Sequence, residues 1–98
     1  MLNSKQRAYL RSQANTLDPI MHVGKGGLTE AVANAVSEAL EARELIKLRL
    51  LKNNESDIKV LSLELAAMVE AEVVQVIGRN FVLYKMNTEK PIIELPTQ

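Results

Sequence analysis

The sequence predicts an α/β protein of the α+β sandwich kind, in the order α-β-α-β-α-β-β, with three helices on one four-stranded mixed sheet. Three observations carry this. Apolar residues recur at helical spacing in three segments, and segments of strand character lie between them. The chain then closes on two β-branched or aromatic runs joined by Gly78-Arg79-Asn80, the length and composition of a hairpin turn. With 98 residues, 47% of them hydrophobic and 24% charged, there is material for one core and no room for a second domain. One sheet with helices packed on it buries all three apolar stripes. Parallel neighbours joined through a helix would follow the right-handed crossover rule.

The elements follow in order. Residues 3 to 17 form a first helix whose stripe is Leu10, Ala14 and Leu17, with Arg7 and Arg11 beside it and facing out. Asp18-Pro19 stops it, because proline disfavours the helical conformation in the residue before it. Ile20-Met21-His22-Val23 is a short strand ending at Gly24-Lys25-Gly26-Gly27. Thr29 is a good N-cap, and Glu30 meets the positive end of the helix dipole. Val32, Ala35, Val36, Ala39 and Leu40 make one face of a helix over residues 29 to 43, with Asn34, Ser37, Glu38 and Glu41 opposite. Over residues 45 to 51 the period drops to two, with Ile46, Leu48 and Leu50 on one side and Lys47 and Arg49 on the other. Asn53-Asn54-Glu55-Ser56-Asp57 is turn chemistry leading into a third helix with the face Ile58, Leu61, Leu65, Met68 and Val69. Residues 73 to 77 and 81 to 84 are the hairpin strands, with Phe81 and Tyr84 on opposite sheet faces. One domain spans residues 1 to 87. Residues 88 to 98 are a tail in which Pro91 and Pro96 limit regular structure, while Ile92, Ile93 and Leu95 are available to pack on the domain.

Composition excludes several functions. There is no Cys, hence no disulfide framework, Cys-based zinc site or thiol nucleophile. His22 is the single histidine and has no partners for a metal site or a triad, so it reads as structural or as a contact beside the loop. No nucleophile, base and metal ligand converge, so neither catalysis nor a cofactor is expected. The N-terminal residues lack the apolar stretch of a signal peptide and no apolar run approaches membrane-spanning length, so the expected setting is the cytoplasm, away from membrane, and the expected state a monomer.

Net charge is zero, from 12 basic and 12 acidic residues, and a pI near 6.6 argues at first against nucleic acid. The distribution answers that. Residues 1 to 28 carry +3 through Lys5, Arg7, Arg11 and Lys25 against Asp18. Residues 29 to 42 carry −3 through Glu30, Glu38 and Glu41. Residues 43 to 52 return to +3, residues 53 to 78 carry −4, and the remainder adds +1. A neutral total of this kind is compatible with a basic face and equally with ordinary solvated surfaces.

Gly24-Lys25-Gly26-Gly27 is the densest signal. It joins a strand to a helix start, where glycine backbone, unpaired N–H groups and Lys25 all favour phosphate. A Walker loop is excluded, since no Ser or Thr follows Lys25, and the dinucleotide fingerprint fails at Thr29. A G-x-x-G loop fits, of the kind that clamps a nucleic-acid backbone in KH domains, although there it lies between two helices. The motif alone fits a tight strand-to-helix turn without ligand equally well. Lys47 and Arg49 read either as a solvated sheet face or as one wall of a backbone-binding groove. Arg79 lies at a hairpin tip, an exposed position. Tyr84 either packs or stacks a base.

Two stretches resemble a known family. His22-Val23-Gly24-Lys25-Gly26-Gly27-Leu28-Thr29 resembles the signature loop of the CRM domain, the chloroplast RNA splicing and ribosome maturation domain. Val74 to Lys85 is similar to its closing hairpin, and Glu44-Leu45-Ile46-Lys47-Leu48-Arg49 to its second strand. The likeness covers roughly residues 2 to 86 and is close to the free-standing bacterial, YhbY-type members. It implies a fold similar to the C-terminal domain of translation initiation factor 3, and RNA binding on precursors of the large ribosomal subunit as a non-catalytic assembly factor. It assigns RNA contact to Gly24, Lys25, Gly26 and Gly27, with Lys5, Arg7, Arg11, Lys47, Arg49 and Arg79 in support. Lys85 stands where the family often has Arg, which weakens a bidentate phosphate contact there. The alternative is a protein-interaction module whose acidic helix faces meet a basic partner such as a ribosomal protein.

Overall fold

The computed structural model describes residues 2 to 96. Its elements are α1 (Ser4–Ala14), β1 (Met21–Val23), α2 (Glu30–Arg43), β2 (Leu45–Leu50), α3 (Ile58–Val69), β3 (Glu72–Ile77) and β4 (Asn80–Tyr84). The sheet order is β1-β2-β4-β3. β1 runs parallel to β2, and the other two pairs are antiparallel, which makes the sheet mixed. The predicted α+β architecture and element order are those observed.

Helices cover both faces. α2 and α3 supply Val36, Leu40, Leu61, Leu65 and Val69 to a core that includes Val23, Leu48, Leu50, Phe81 and Leu83. On the other face α1 lays Leu10 and Ala14 over Leu45, Val74, Val82 and Tyr84. Phe81 and Tyr84 therefore fall on opposite faces as expected, and both are buried.

Several boundaries and faces differ from expectation. α1 begins in a capping box, Asn3 accepting from the Gln6 N–H at 2.8 Å while Gln6 accepts from the Asn3 N–H at 3.1 Å. It ends a turn before Asp18-Pro19. The Asn15 N–H is shared between Arg11 and Ser12, and Leu17 turns back to the Ala14 carbonyl at 3.0 Å. Leu17 still packs on the domain. Ile20 lies outside β1 and is 39% exposed, though its N–H donates to the Lys47 carbonyl at 2.9 Å. In α2 the buried face takes Ala33, and Ala35 is exposed. In α3, Met68 is 48% exposed, and Ser62 and Ala66 are buried instead. β3 starts one residue early, at Glu72, and carries an irregularity between Val73 and Gln75. The hairpin turn is Gly78-Arg79 alone, with Gly78 at φ +58° and Asn80 already paired to Ile77.

The tail is tied down by one buried side chain. Glu44 closes α2 at φ +66° and is fully buried. Its carboxylate accepts from the N–H groups of Asn87 at 2.6 Å, Ile92 at 2.9 Å and Ile93 at 2.6 Å. Ile93 and Leu95 then pack beside α1, while Ile92 stays exposed. The Pro96 carbonyl accepts from the Gln6 side chain at 3.1 Å. Thr97 and Gln98, part of the tail expected from the sequence, lie outside the described residues.

Candidate functional site

The glycine loop leaves β1 at Val23 and enters α2 through Thr29, whose hydroxyl accepts from the Val32 N–H at 3.2 Å. Within it the Gly27 N–H donates to the Gly24 carbonyl at 3.0 Å, and Gly27 sits at φ +71°, where a side chain would be strained. Gly24 is in a tight place, since a Cβ there would lie 3.3 Å from Leu51 Cδ1, which would have to give by a few tenths of an ångström. Gly26 differs from both. Its φ is outside the left-handed region, and a Cβ on it would meet nothing within 4 Å. Nothing in the fold demands glycine at this exposed position.

The base of the loop is fixed from below. The Leu51 N–H donates to the Val23 carbonyl at 2.9 Å, and Asn54 Nδ2 donates to the Gly24 carbonyl at 2.8 Å. Asn54 is buried, and its own carbonyl side chain accepts from the Ser56 N–H at 2.9 Å. Arg79 reaches across from the hairpin, Nε donating to the Leu50 carbonyl at 2.9 Å and Nη2 to the carbonyls of Leu51 and Asn54. The hairpin thus grips the β2–α3 turn, and that turn grips the glycine loop. Lys25 and Gly26 are left as an exposed tip on a rigid base.

Beside the loop is a sheet surface that α1 leaves uncovered. His22 pairs in register with Arg49, so both lie on the face opposite Val23, Leu48 and Leu50, and Lys47 is two residues along the same strand. His22 and Arg49 are exposed and Lys47 is half-buried. At the helix start, Glu30 is the first residue of α2 and is exposed. Its carboxylate competes with an incoming phosphate for the positive end of the dipole. The strongest phosphate-attracting features here are therefore Lys25 and the loop backbone.

The remaining expected contacts divide. Arg7 does not face out freely, for Nη1 donates to the Val73 carbonyl at 2.7 Å and Nη2 meets Glu72 at 3.2 Å, tying α1 to β3. Arg11 is half-buried on the flank it shares with Arg7. Lys5 is exposed but about 120° around the helix from Arg11, so α1 does not present one basic face. Arg79 is half-buried as the clamp just described. Tyr84 is packed under α1, its hydroxyl buried without a hydrogen-bond partner among the described residues. Among those residues no group of three His, Cys, Asp or Glu side chains is placed to hold a metal ion, and no helix is long and apolar enough to cross a membrane.

A four-stranded mixed sheet with helices on both faces, and a glycine loop joining a parallel strand to a helix, define an α+β module. The chain belongs to the CRS1 / YhbY (CRM) domain family, whose model matches residues 2–85. It is 46% identical over 96 residues to the Probable RNA-binding protein YqeI of Bacillus subtilis, covering 98% of this chain and 100% of that one. It is 33% identical to a protein of Haemophilus influenzae named RNA-binding protein, covering 97% and 95%. The solution structure of the hypothetical protein SAV1595 from Staphylococcus aureus superposes with a TM-score of 0.82 at 46% identity, covering 98% of this chain and 100% of that chain.

Proposed function

We propose that this protein binds structured RNA through the Lys25-Gly26 tip and the His22, Lys47 and Arg49 sheet surface, and that it does so in the cytoplasm as a non-catalytic factor in large ribosomal subunit assembly. Gly26 is the observation that carries the reading. The fold accepts a side chain there, so the glycine is explained by a partner that approaches the backbone closely. The cations beside it suit phosphate, and the names of the relatives agree.

Gly26→Val tests the loop without disturbing the core. Its melting temperature should match that of the parent, while affinity for large-subunit ribosomal RNA falls several-fold. Equal affinity at equal salt removes the loop from the interface. Crosslinking in cells followed by sequencing of the attached RNA tests the target. Reads concentrated on large-subunit precursor RNA support the assembly role, and reads spread evenly over cellular RNA refute it.

A further inference from the structure

α3 is apolar where solvent would be expected to find polar groups. Leu61, Leu65 and Val69 point into the core. On the opposite side Val60, Leu63 and Ala67 recur at i, i+3 and i+7, with Val60 54% and Leu63 63% exposed. Single exposed apolar residues are ordinary, but an aligned stripe along a helix pole is the mark of a face that another element covers.

The surroundings of the stripe specify what covers it. Glu64 flanks it, Glu55 and Asp57 lie in the turn ahead of the helix, and Lys59 is the single cation of residues 53 to 78. α2 packs alongside α3, but its Glu38 and Glu41 line a groove with Lys85 and Lys90 of the tail, and Lys85 Nζ donates to the Val69 carbonyl at the far end of α3, so the acid beside the stripe is that of α3 and the turn before it. A polyanion is repelled by such a frame, and a second copy would bring acid against acid. We infer that the outer face of α3 is a docking surface for a cationic amphipathic segment of a protein partner. The apolar side of the segment covers Val60, Leu63 and Ala67, and its Lys and Arg residues meet Glu64 and the Glu55 and Asp57 end of the helix. This surface lies across the sheet from His22, Lys47 and Arg49. Both can be occupied at once, and the inference does not depend on RNA binding.

The test is a nuclear magnetic resonance titration of the full chain with a synthetic peptide of leucine and lysine in helical amphipathic order. Two control peptides keep the order, one with glutamate for lysine and one with serine for leucine. The leucine–lysine peptide should shift the amides of α3, and Leu63→Ser should weaken it about tenfold, roughly 1.4 kcal/mol, with an unchanged melting curve. Both controls should bind far more weakly, and ribosomal RNA affinity should be the same for Leu63→Ser and the parent. Shifts confined to other elements, equal binding by either control, or no effect of Leu63→Ser would overturn the proposal. So would sedimentation showing that the chain alone dimerises through Leu63.

Discussion

Arg79 shows how a side chain read from sequence as an exposed cation becomes a fixed part of the frame. Its three backbone acceptors, Leu50, Leu51 and Asn54, lie 25 to 29 residues away in sequence, so no local pattern reveals them. Asn54 is a partial exception. It reads as turn chemistry and is in a turn, but its contact with the Gly24 carbonyl spans 30 residues and was not legible. Asn54→Ala should lower stability by about 1–3 kcal/mol through the buried groups it leaves unpaired, measured by urea unfolding. It should also weaken RNA binding while Lys25 is intact, because the tip loses its base. Tyr84 makes a second test. Burial first, then the Glu44 and Glu72 carboxylates, raise its phenol above the ordinary 10.0. The folded state therefore holds this proton more tightly than the unfolded chain, and the resulting stability is full below pH 10 and lost as pH rises through the folded value. Tyr84→Phe should be as stable as the parent at pH 7, or more stable by up to about 1 kcal/mol, since the hydroxyl it removes is buried and unpartnered. Above pH 10 the parent should fall relative to the variant. Urea midpoints of the two proteins at both pH values check the sign.

At the scale of the element, periodicity marks the three helices and β2, while residue type and turn chemistry mark β1 and the hairpin, and the differences gather where these signals lose contrast. In α3 the spacing picks out Ile58, Leu61, Leu65 and Val69, which face the core, but apolar residues continue round the helix, so spacing also admits Met68, which is exposed. α2 has alanines at both Ala33 and Ala35, and only packing decides between them. Helix ends are set by local hydrogen bonds, which ended α1 before its proline did. Two of these ends offer a matched experiment. Glu44 and Glu70 both terminate helices with positive φ, at 66° and 57°. The Glu70 side chain is exposed and takes no part in capping α3, whose last carbonyls accept from the Glu70 N–H, the Ala71 N–H and Lys85 Nζ. Glu70→Gly should stabilise by about 1 kcal/mol by removing left-handed strain. Glu44, at ψ −40° where Glu70 has 41°, lies outside the left-handed helical region. Glu44→Gly also relieves a positive φ, but it strips three tail N–H groups of their acceptor, and should cost on the order of 3 kcal/mol. Thermal unfolding of the pair should therefore shift in opposite directions, and a Glu44→Gly variant as stable as Glu70→Gly would show that the tail contributes little.

For the whole molecule, the sheet separates two surfaces that the zero net charge conceals. The sequence exposed this as alternating charged segments, but their position in space required the topology. Pairing β1 beside β2 is what brings His22 to Arg49 and sets both next to the glycine loop, while α2 and α3 carry their acids to the other side. The same topology takes Arg7 and Arg79 out of the free basic set, leaving fewer phosphate contacts than a count of cations suggests. Each phosphate neutralised releases counterions and steepens the fall of log affinity with log salt by about 0.9 on a duplex or 0.7 on a single strand. With Lys25, Lys47 and Arg49 as the contacts, the slope for RNA should lie near −2 to −3, well short of that of a polycationic domain. Lys25→Ala should reduce it by about one contact and leave the melting temperature unchanged, because Lys25 is exposed and its side chain makes no hydrogen bond or ion pair among the described residues. Arg79→Ala should behave differently, lowering stability and affinity together, because the clamp beneath the loop is lost. Filter-binding titrations at several salt concentrations, run beside thermal melts, distinguish the two. A Lys25→Ala slope equal to that of the parent would place the phosphate contacts elsewhere on the surface.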